Sequence, residues 1–201
     1  MWERDIPLVT IDRKMLKTHA DFVGTDNRAG GRLAAQYLLE LGHRRFAHLS
    51  AIPEISSSRE RWEGFRDEIN RALGVEVDYI AATAFRERFD DARSILDRPD
   101  RPTAVFAGND YLAASTLEAA RVLGISVPNE LSVVGFADLS VAAVSAPPLT
   151  TVKQEPFEIG RKAAEMVLDR IRGDRERRRD PQRLEIVPRL VIRKSTAPPV
   201  A

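Results

Sequence analysis

Polar side chains follow apolar runs at three places in this chain: Asp12 after the run from Ile6 to Ile11, Asn109 after Thr103 to Ala107, and Asp138 after Leu131 to Phe136. Arg61 stands near the start of a helical pattern, and Phe85 sits in a loop. An arginine, an amide, carboxylates and an aromatic ring together supply the donors, acceptors and stacking surface that hold a polyhydroxylated or otherwise polar small molecule. Taken singly, Asn109 and Asp138 read equally well as turn and capping residues. The set contains no activated nucleophile, so binding ranks above catalysis.

Other chemistries lack their residues. A nucleophile elbow needs a serine between glycines at a strand-to-helix turn, and no serine here has that setting. The segment from Gly24 to Gly31, GTDNRAGG, lacks the Lys-Ser/Thr of a phosphate loop and the spacing of a dinucleotide loop. His43 and His48 are five apart without carboxylates at ligand spacing, which favours surface or capping roles over a metal site, and His19 reads the same way. Cysteine is absent, which removes disulfides, thiolate catalysis and Cys-based zinc. The basic run from Arg175 to Arg179 is interrupted and flanked by Asp174, Glu176 and Asp180, the pattern of a solvated loop rather than a phosphate site. No cofactor, no metal and no enzymatic activity are expected.

The elements that must position these residues alternate. From Pro102 to Ser140 the chain reads as strand, polar turn at Gly108-Asn109-Asp110, helix, strand, and polar turn at Ala137-Asp138. Leu112, Ala113, Thr116, Leu117 and Ala120 form the apolar face of that helix, and Gly124 ends it. Parallel strands joined by a helix put both turns at the carboxyl edge of one sheet, where open α/β sheets bind ligands. Upstream, Leu33, Ala34, Tyr37, Leu38 and Leu41 mark a helix closed by Gly42. Trp62, Phe65 and Ile69 mark a second, preceded by a strand from Phe46 to Leu49. A strand is predicted over Val77 to Ala81 and a helix around Phe89, Ala92, Ile95 and Leu96. The segment Pro147 to Val152 is extended, a helix runs from Pro156 to Gly173, and short strands cover Leu184 to Val187 and Leu190 to Ile192. The fold class is α/β with layered, mostly parallel sheets. A net charge of +1 in 201 residues asks for neither nucleic acid nor an anionic membrane. With no signal-peptide pattern and no membrane-length apolar run, a cytoplasmic location without membrane contact is expected.

The runs VGTDNRAGGRLAAQYLLELGHRR (23 to 45), SSSRERWEGF (56 to 65), PTAVFAGND (102 to 110), SVPNELSVVGF (126 to 136) and PPLTTVKQ (147 to 154) resemble the effector-binding part of LacI/GalR transcriptional regulators. The resemblance spans about residues 6 to 198. It implies a periplasmic-binding-protein-like (type I) fold of two α/β lobes joined by three crossings, with a small-molecule effector in the cleft. It implies further that Asp12 faces that cleft from one lobe, that Ser57, Arg61, Phe85 and Asn109 face it from the other, and that Gln154 lies at a hinge crossing. The arginine matching Arg61 forks onto ligand hydroxyls or carboxylates, and the aromatic matching Phe85 stacks on the ligand ring.

Two departures from the family pattern qualify this. An acidic ligand-binding residue usually follows VVGF; here that position is Ala137, and Asp138 comes next. Loss of that acceptor is expected to exclude some hydroxyl-rich ligands. Family members also begin with a helix-turn-helix and more of the first lobe. By the resemblance, residues 27–152 with 189–197 form a nearly complete carboxy-terminal lobe, and residues 1–25 with 155–186 a remnant of the other. Ile159, Ala163, Met166 and Val167 are then expected to be partly exposed, favouring weak stability or self-association. The implied function is effector sensing in a regulator whose complete form binds operator DNA as a homodimer, while this chain alone has no recognition helix for it. A sugar-binding protein of a transport system, or a small α/β enzyme, are the alternative classes.

Overall fold

The computed structural model describes residues 6–15, 20–50, 52, 54–73, 78–81, 88–172 and 180–200; His19, Phe85 and the 174–179 run lie outside the described residues. In chain order the elements are β1 (Val9–Ile11), β2 (Asp21–Thr25), α1 (Asn27–Glu40), β3 (Phe46–Ser50), α2 (Ser56–Leu73), β4 (Asp78–Ala81), α3 (Arg88–Leu96), β5 (Ala104–Ala107), α4 (Asp110–Val122), β6 (Ser132–Ala137), α5 (Ser140–Val144), β7 (Thr150–Lys153), α6 (Pro156–Arg172), β8 (Arg183–Ile186) and β9 (Arg189–Val191). They form an α/β fold of two compact units: Met1–Asp26 with Glu155–Val187, and Asn27–Gln154 with Pro188–Ala201.

The larger unit is built on a six-stranded sheet in the order β4-β3-β5-β6-β7-β9. All pairings are parallel except β7 with β9. Because successive side chains of a strand point to opposite faces, each central strand feeds two cores. Ala104 and Phe106 of β5 join Phe46, Val134 and Phe136 under α1 and α2, where Ala34, Leu38, Phe65 and Ile69 are buried. Val105 and Ala107 face the other way with Ala47, Leu49 and Val133, covered by Ala92 and Ile95 of α3, Leu112, Ala113 and Leu117 of α4, and Ala142 of α5. Near-continuous apolar runs are what a strand needs when both faces are covered.

Helices α1 and α2 meet backbone to backbone. A Cβ placed on Gly31 would run into the Arg61 carbonyl oxygen and lie 2.8 Å from the Phe65 nitrogen, while one on Gly64 would run into the Arg28 carbonyl. Two glycines, one on each helix, therefore set how closely the helices approach. Across their outer edge Arg28 pairs with Glu63 and Asp67.

His43 and His48, expected in surface or capping roles, are buried, at 1% and 0% exposure. His43 lies within 3.0 Å of Thr103 Oγ1, Ser132 Oγ and the Ala197 carbonyl oxygen, which ties the carboxy-terminal segment to the sheet. His48 pairs in register with Phe106, and its ring lies 4.9 Å from that of Phe106 and 5.3 Å from Trp62. An imidazole can fill an aromatic layer when it stays neutral, which is why polarity alone misplaces it.

The smaller unit has three parallel strands in the order β1-β2-β8 with α6 against them. Ile159 and Ala163 are buried, at 7% and 8%, rather than partly exposed as expected. The difference comes from β2 and β8, since Val23, Leu184 and Ile186 cover the stripe that Met166 and Val9 extend. The exposed large apolar residues of α6 are Phe157, Leu168 and Ile171. Asp21 anchors the unit: it accepts from Arg170 Nε at 2.7 Å and Nη2 at 2.6 Å and from the Gln182 backbone N–H at 2.7 Å. Burial alone would raise its carboxyl, but these bonds outweigh that and hold it below its ordinary value. Among the described residues no helix is long and apolar enough to cross a membrane.

Candidate functional site

In the larger unit the chain passes from β3 to β4 on one side and then to β5 on the other, so the strand order reverses between β3 and β5. Open α/β sheets leave a crevice outside the carboxyl ends of the strands at such a reversal. The first turns of α2 and α4 follow β3 and β5 and lie over opposite faces of the sheet, as their separate cores show.

Arg61 occupies this place. Its side chain is 8% exposed, its Nε donates to Asn27 Oδ1 at 2.8 Å, and its Nη1 donates to the Gly108 carbonyl at 2.8 Å. The guanidinium carbon lies 3.8 Å from the centre of the Phe136 ring, a stacking contact that suits a planar cation. Three elements thus hold one cation: α1 through Asn27, the β5–α4 turn through Gly108, and β6 through Phe136. Ser57, buried in the first turn of α2, lies one helical turn before Arg61.

Asn109 serves as the N-cap of α4, in extended conformation, with its Oδ1 accepting from Leu112 N at 2.9 Å. The capping reading is therefore correct for its oxygen. The amide nitrogen is not used among the described residues, and the side chain is partly exposed, so the donor half of Asn109 is available at the edge.

The second turn differs. Ala137 has φ 109° and Asp138 φ 59°, both in the left-handed region that costs an L-residue with a Cβ about 1–3 kcal/mol. Asp138 Oδ1 accepts from Arg193 Nη2 at 2.6 Å, and the same guanidinium donates to the Leu149 carbonyl. Its carboxylate is thus committed to a charge pair 55 residues away in the chain. Ala137 remains partly exposed at the end of β6. Replacing it by glycine relieves the strain at a small entropic cost, and Ala137→Gly is expected to raise unfolding free energy by about 1 kcal/mol, read by denaturant unfolding.

Asp110, at the first residue of α4, reads in the sequence only as the last residue of the first polar turn. It is fully buried, with Oδ1 accepting from Thr151 Oγ1 at 2.5 Å and Oδ2 from Leu139 N at 2.6 Å. Burial pushes its carboxyl above the ordinary value against the pull of those two bonds. Asn27 and Phe136 were also missed as partners of Arg61; an asparagine at a helix start and a phenylalanine ending an apolar run carry no local sign of that role.

Arg61, Asn109 and Ala137 are thus gathered at one sheet edge. Asp138 sits at that edge turned to Arg193. Gln154 follows β7 at the end of the larger unit's main segment, partly exposed. Asp12 belongs to the smaller unit, after β1, with φ 62° and its backbone N–H bonded to the Val23 carbonyl. Phe85 lies outside the described residues. Among the described residues no group of three or more His, Asp or Glu is placed to hold a metal ion.

Residues 35–196 match the family of periplasmic binding protein-like domains. The chain is 38% identical over 197 residues to the HTH-type transcriptional regulator DegA of Bacillus subtilis, covering 96% of this chain but only 57% of that protein. Among solved structures it is similar to the transcriptional regulator CelR–cellobiose complex, with a TM-score of 0.82, 34% identity, and coverage of 93% of this chain and 58% of that one. A LacI family transcriptional regulator from Enterococcus faecium with bound ribose gives a TM-score of 0.84 at 28% identity, covering 96% of this chain and 71% of that one. The chain spans a little over half the length of the curated relatives it matches. It belongs to the periplasmic binding protein-like domain family, in the effector-binding form that LacI-type regulators carry.

Proposed function

We propose that this domain senses a small, polar, sugar-like effector and that, in a longer regulator, occupancy is passed to a DNA-binding segment. The observation that carries the reading is Arg61, a buried guanidinium held by Asn27, Gly108 and Phe136 at the carboxyl edge of the sheet, where the Asn109 amide caps the helix that follows β5. A guanidinium fixed in this way is a planar, permanently charged group in a set orientation, which favours hydroxyl or carboxylate oxygens as ligands. The ribose and cellobiose bound by the two relatives support a sugar-like class. Ser57 and Ala137 complete the edge in the larger unit, while Asp12, Phe85 and Gln154 are proposed as contributors from the resemblance alone. Ala137 carries no acceptor, so ligands whose hydroxyls need a carboxylate there are disfavoured.

Binding of operator DNA and assembly as a dimer are proposed for the longer protein, as is a cytoplasmic location. The relatives are transcriptional regulators by name, and turnover of the effector is not part of this reading. Thermal unfolding of the chain with a panel of pentoses, hexoses and disaccharides, ribose and cellobiose included, tests it. A bound sugar at 100 times its Kd adds about 2.7 kcal/mol to stability and raises Tm accordingly. A panel that leaves Tm unmoved at millimolar concentration speaks against a sugar effector.

A further inference from the structure

The left-handed pair Ala137-Asp138 must be held by its surroundings, because two such residues in succession would otherwise relax. Ala137 itself is the register partner of Lys153 on β7, and two further contacts act beyond the strand end. The Asp138–Arg193 pair acts on a side chain, which can swing without moving the main chain. The bond from Leu139 N–H to Asp110 acts on the main chain at the residue directly after the strained pair.

Asp110 is well rooted for that task. It follows Asn109, so it is fixed to the first polar turn, and its other oxygen is fixed by Thr151 on β7. Thr151 is the register partner of Gly135, and the absence of a side chain at Gly135 makes room for the carboxylate, since a Cβ there would run into Asp110 Oδ1. Gly135, Thr151, Asp110 and Leu139 therefore form one arrangement in which the carboxylate has a single place to go. A buried carboxylate is costly unless it is fully bonded, and here each oxygen has its donor.

We propose that Asp110 is the positioning residue that sets the Ala137-Asp138 turn against the Asn109 turn, and so fixes the shape of the ligand-facing edge. The assignment rests on the reading of that edge as the effector site. It makes the backbone of the second turn, rather than a ligand-binding side chain on it, the feature through which Asp110 governs ligand choice.

Amide hydrogen exchange on the isotopically labelled chain, without ligand, separates this from a general stabilising role. In Asp110→Ala, exchange at Asp138 and Leu139 is expected to rise about 10- to 100-fold, the loss of one charge-assisted bond, while amides of β3 and β5 keep their rates. Asp110→Asn retains an oxygen for Leu139 N–H and is expected to restore most of the protection. Thr151→Val keeps side-chain shape, removes the hydroxyl that orients the carboxylate, and is expected to loosen Leu139 about tenfold. Should Asp110→Ala fail to fold, the other two variants decide. Unchanged exchange at Leu139 in Thr151→Val, or a uniform rise across the unit in Asp110→Ala, overturns the proposal. The readout needs no sugar, so failure here leaves the effector reading standing, and failure of every sugar to bind leaves this assignment standing.

Discussion

Gly31→Ala is expected to lower the unfolding free energy by about 3 kcal/mol, the upper part of the range for overpacking, even though alanine is the better helix former by about 1 kcal/mol. The reason is what the new methyl meets. A flexible side chain could swing aside, but the obstacles are the Arg61 carbonyl and the Phe65 nitrogen, both main-chain atoms of α2. Relief requires α1 and α2 to separate, which opens the core holding Ala34, Leu38, Phe65 and Ile69. The same separation pulls Asn27 away from Arg61, so the variant should lose the arrangement at the sheet edge together with stability. Gly124→Ala is the control: its Cβ meets nothing within 4 Å, and its cost is the left-handed φ of 72° alone. Equal losses in the two variants, measured by denaturant unfolding, would show that the helix contact yields more readily than its backbone geometry implies.

Acid is expected to weaken the larger unit well above the carboxylate range. Complete burial pushes the His48 pKa down to about 3, and the charge of Arg61 acts in the same direction. In the unfolded chain the same imidazole titrates near 6.5. Between those values the unfolded state binds a proton that the folded state does not, so stability is full above pH 6.5 and falls on acidification by about 1.4 kcal/mol per pH unit. At pH 4.5 the loss from this residue is about 3 kcal/mol. His43, also lowered chiefly by burial, adds a contribution of the same sign. Unfolding at pH 7.5 and pH 4.5 should show the drop in the wild type and a drop smaller by about 3 kcal/mol in His48→Phe. Identical pH slopes would mean that the imidazole is hydrated or charged in the native state.

The two histidines also show where reading the chain runs out. Strands β3, β5 and β6 and helices α1, α2 and α4 are legible because their apolar residues recur at periods of the elements themselves. His43 and His48 break the pattern as polar residues, and what makes their burial tolerable is tertiary: Thr103, Ser132 and Ala197 lie 60, 89 and 154 residues from His43. Strand β2 mixes Asp21 and Gly24 into its five residues, and α5 is five residues long, too short to display a helical period. The same division runs through the site. Arg61 and Asn109 stand out by type and position, at a helix start and a strand end. Asn27 and Phe136, which hold Arg61, do not, because nothing local distinguishes a cap or a core ring from a partner. Asp138 looked like a ligand carboxylate until folding brought Arg193 to it. The strain at Ala137 is likewise invisible in a chain where alanine normally signals nothing.

Affinity of the wild type and of Arg61→Ala for the sugar that most raises Tm, compared by calorimetry, tests most directly whether this edge is the effector site. Removing a charge-assisted bond costs about 1.5–3 kcal/mol, so Arg61→Ala is expected to bind roughly 10- to 150-fold more weakly while still unfolding cooperatively. Equal affinity in the two proteins would contradict the site.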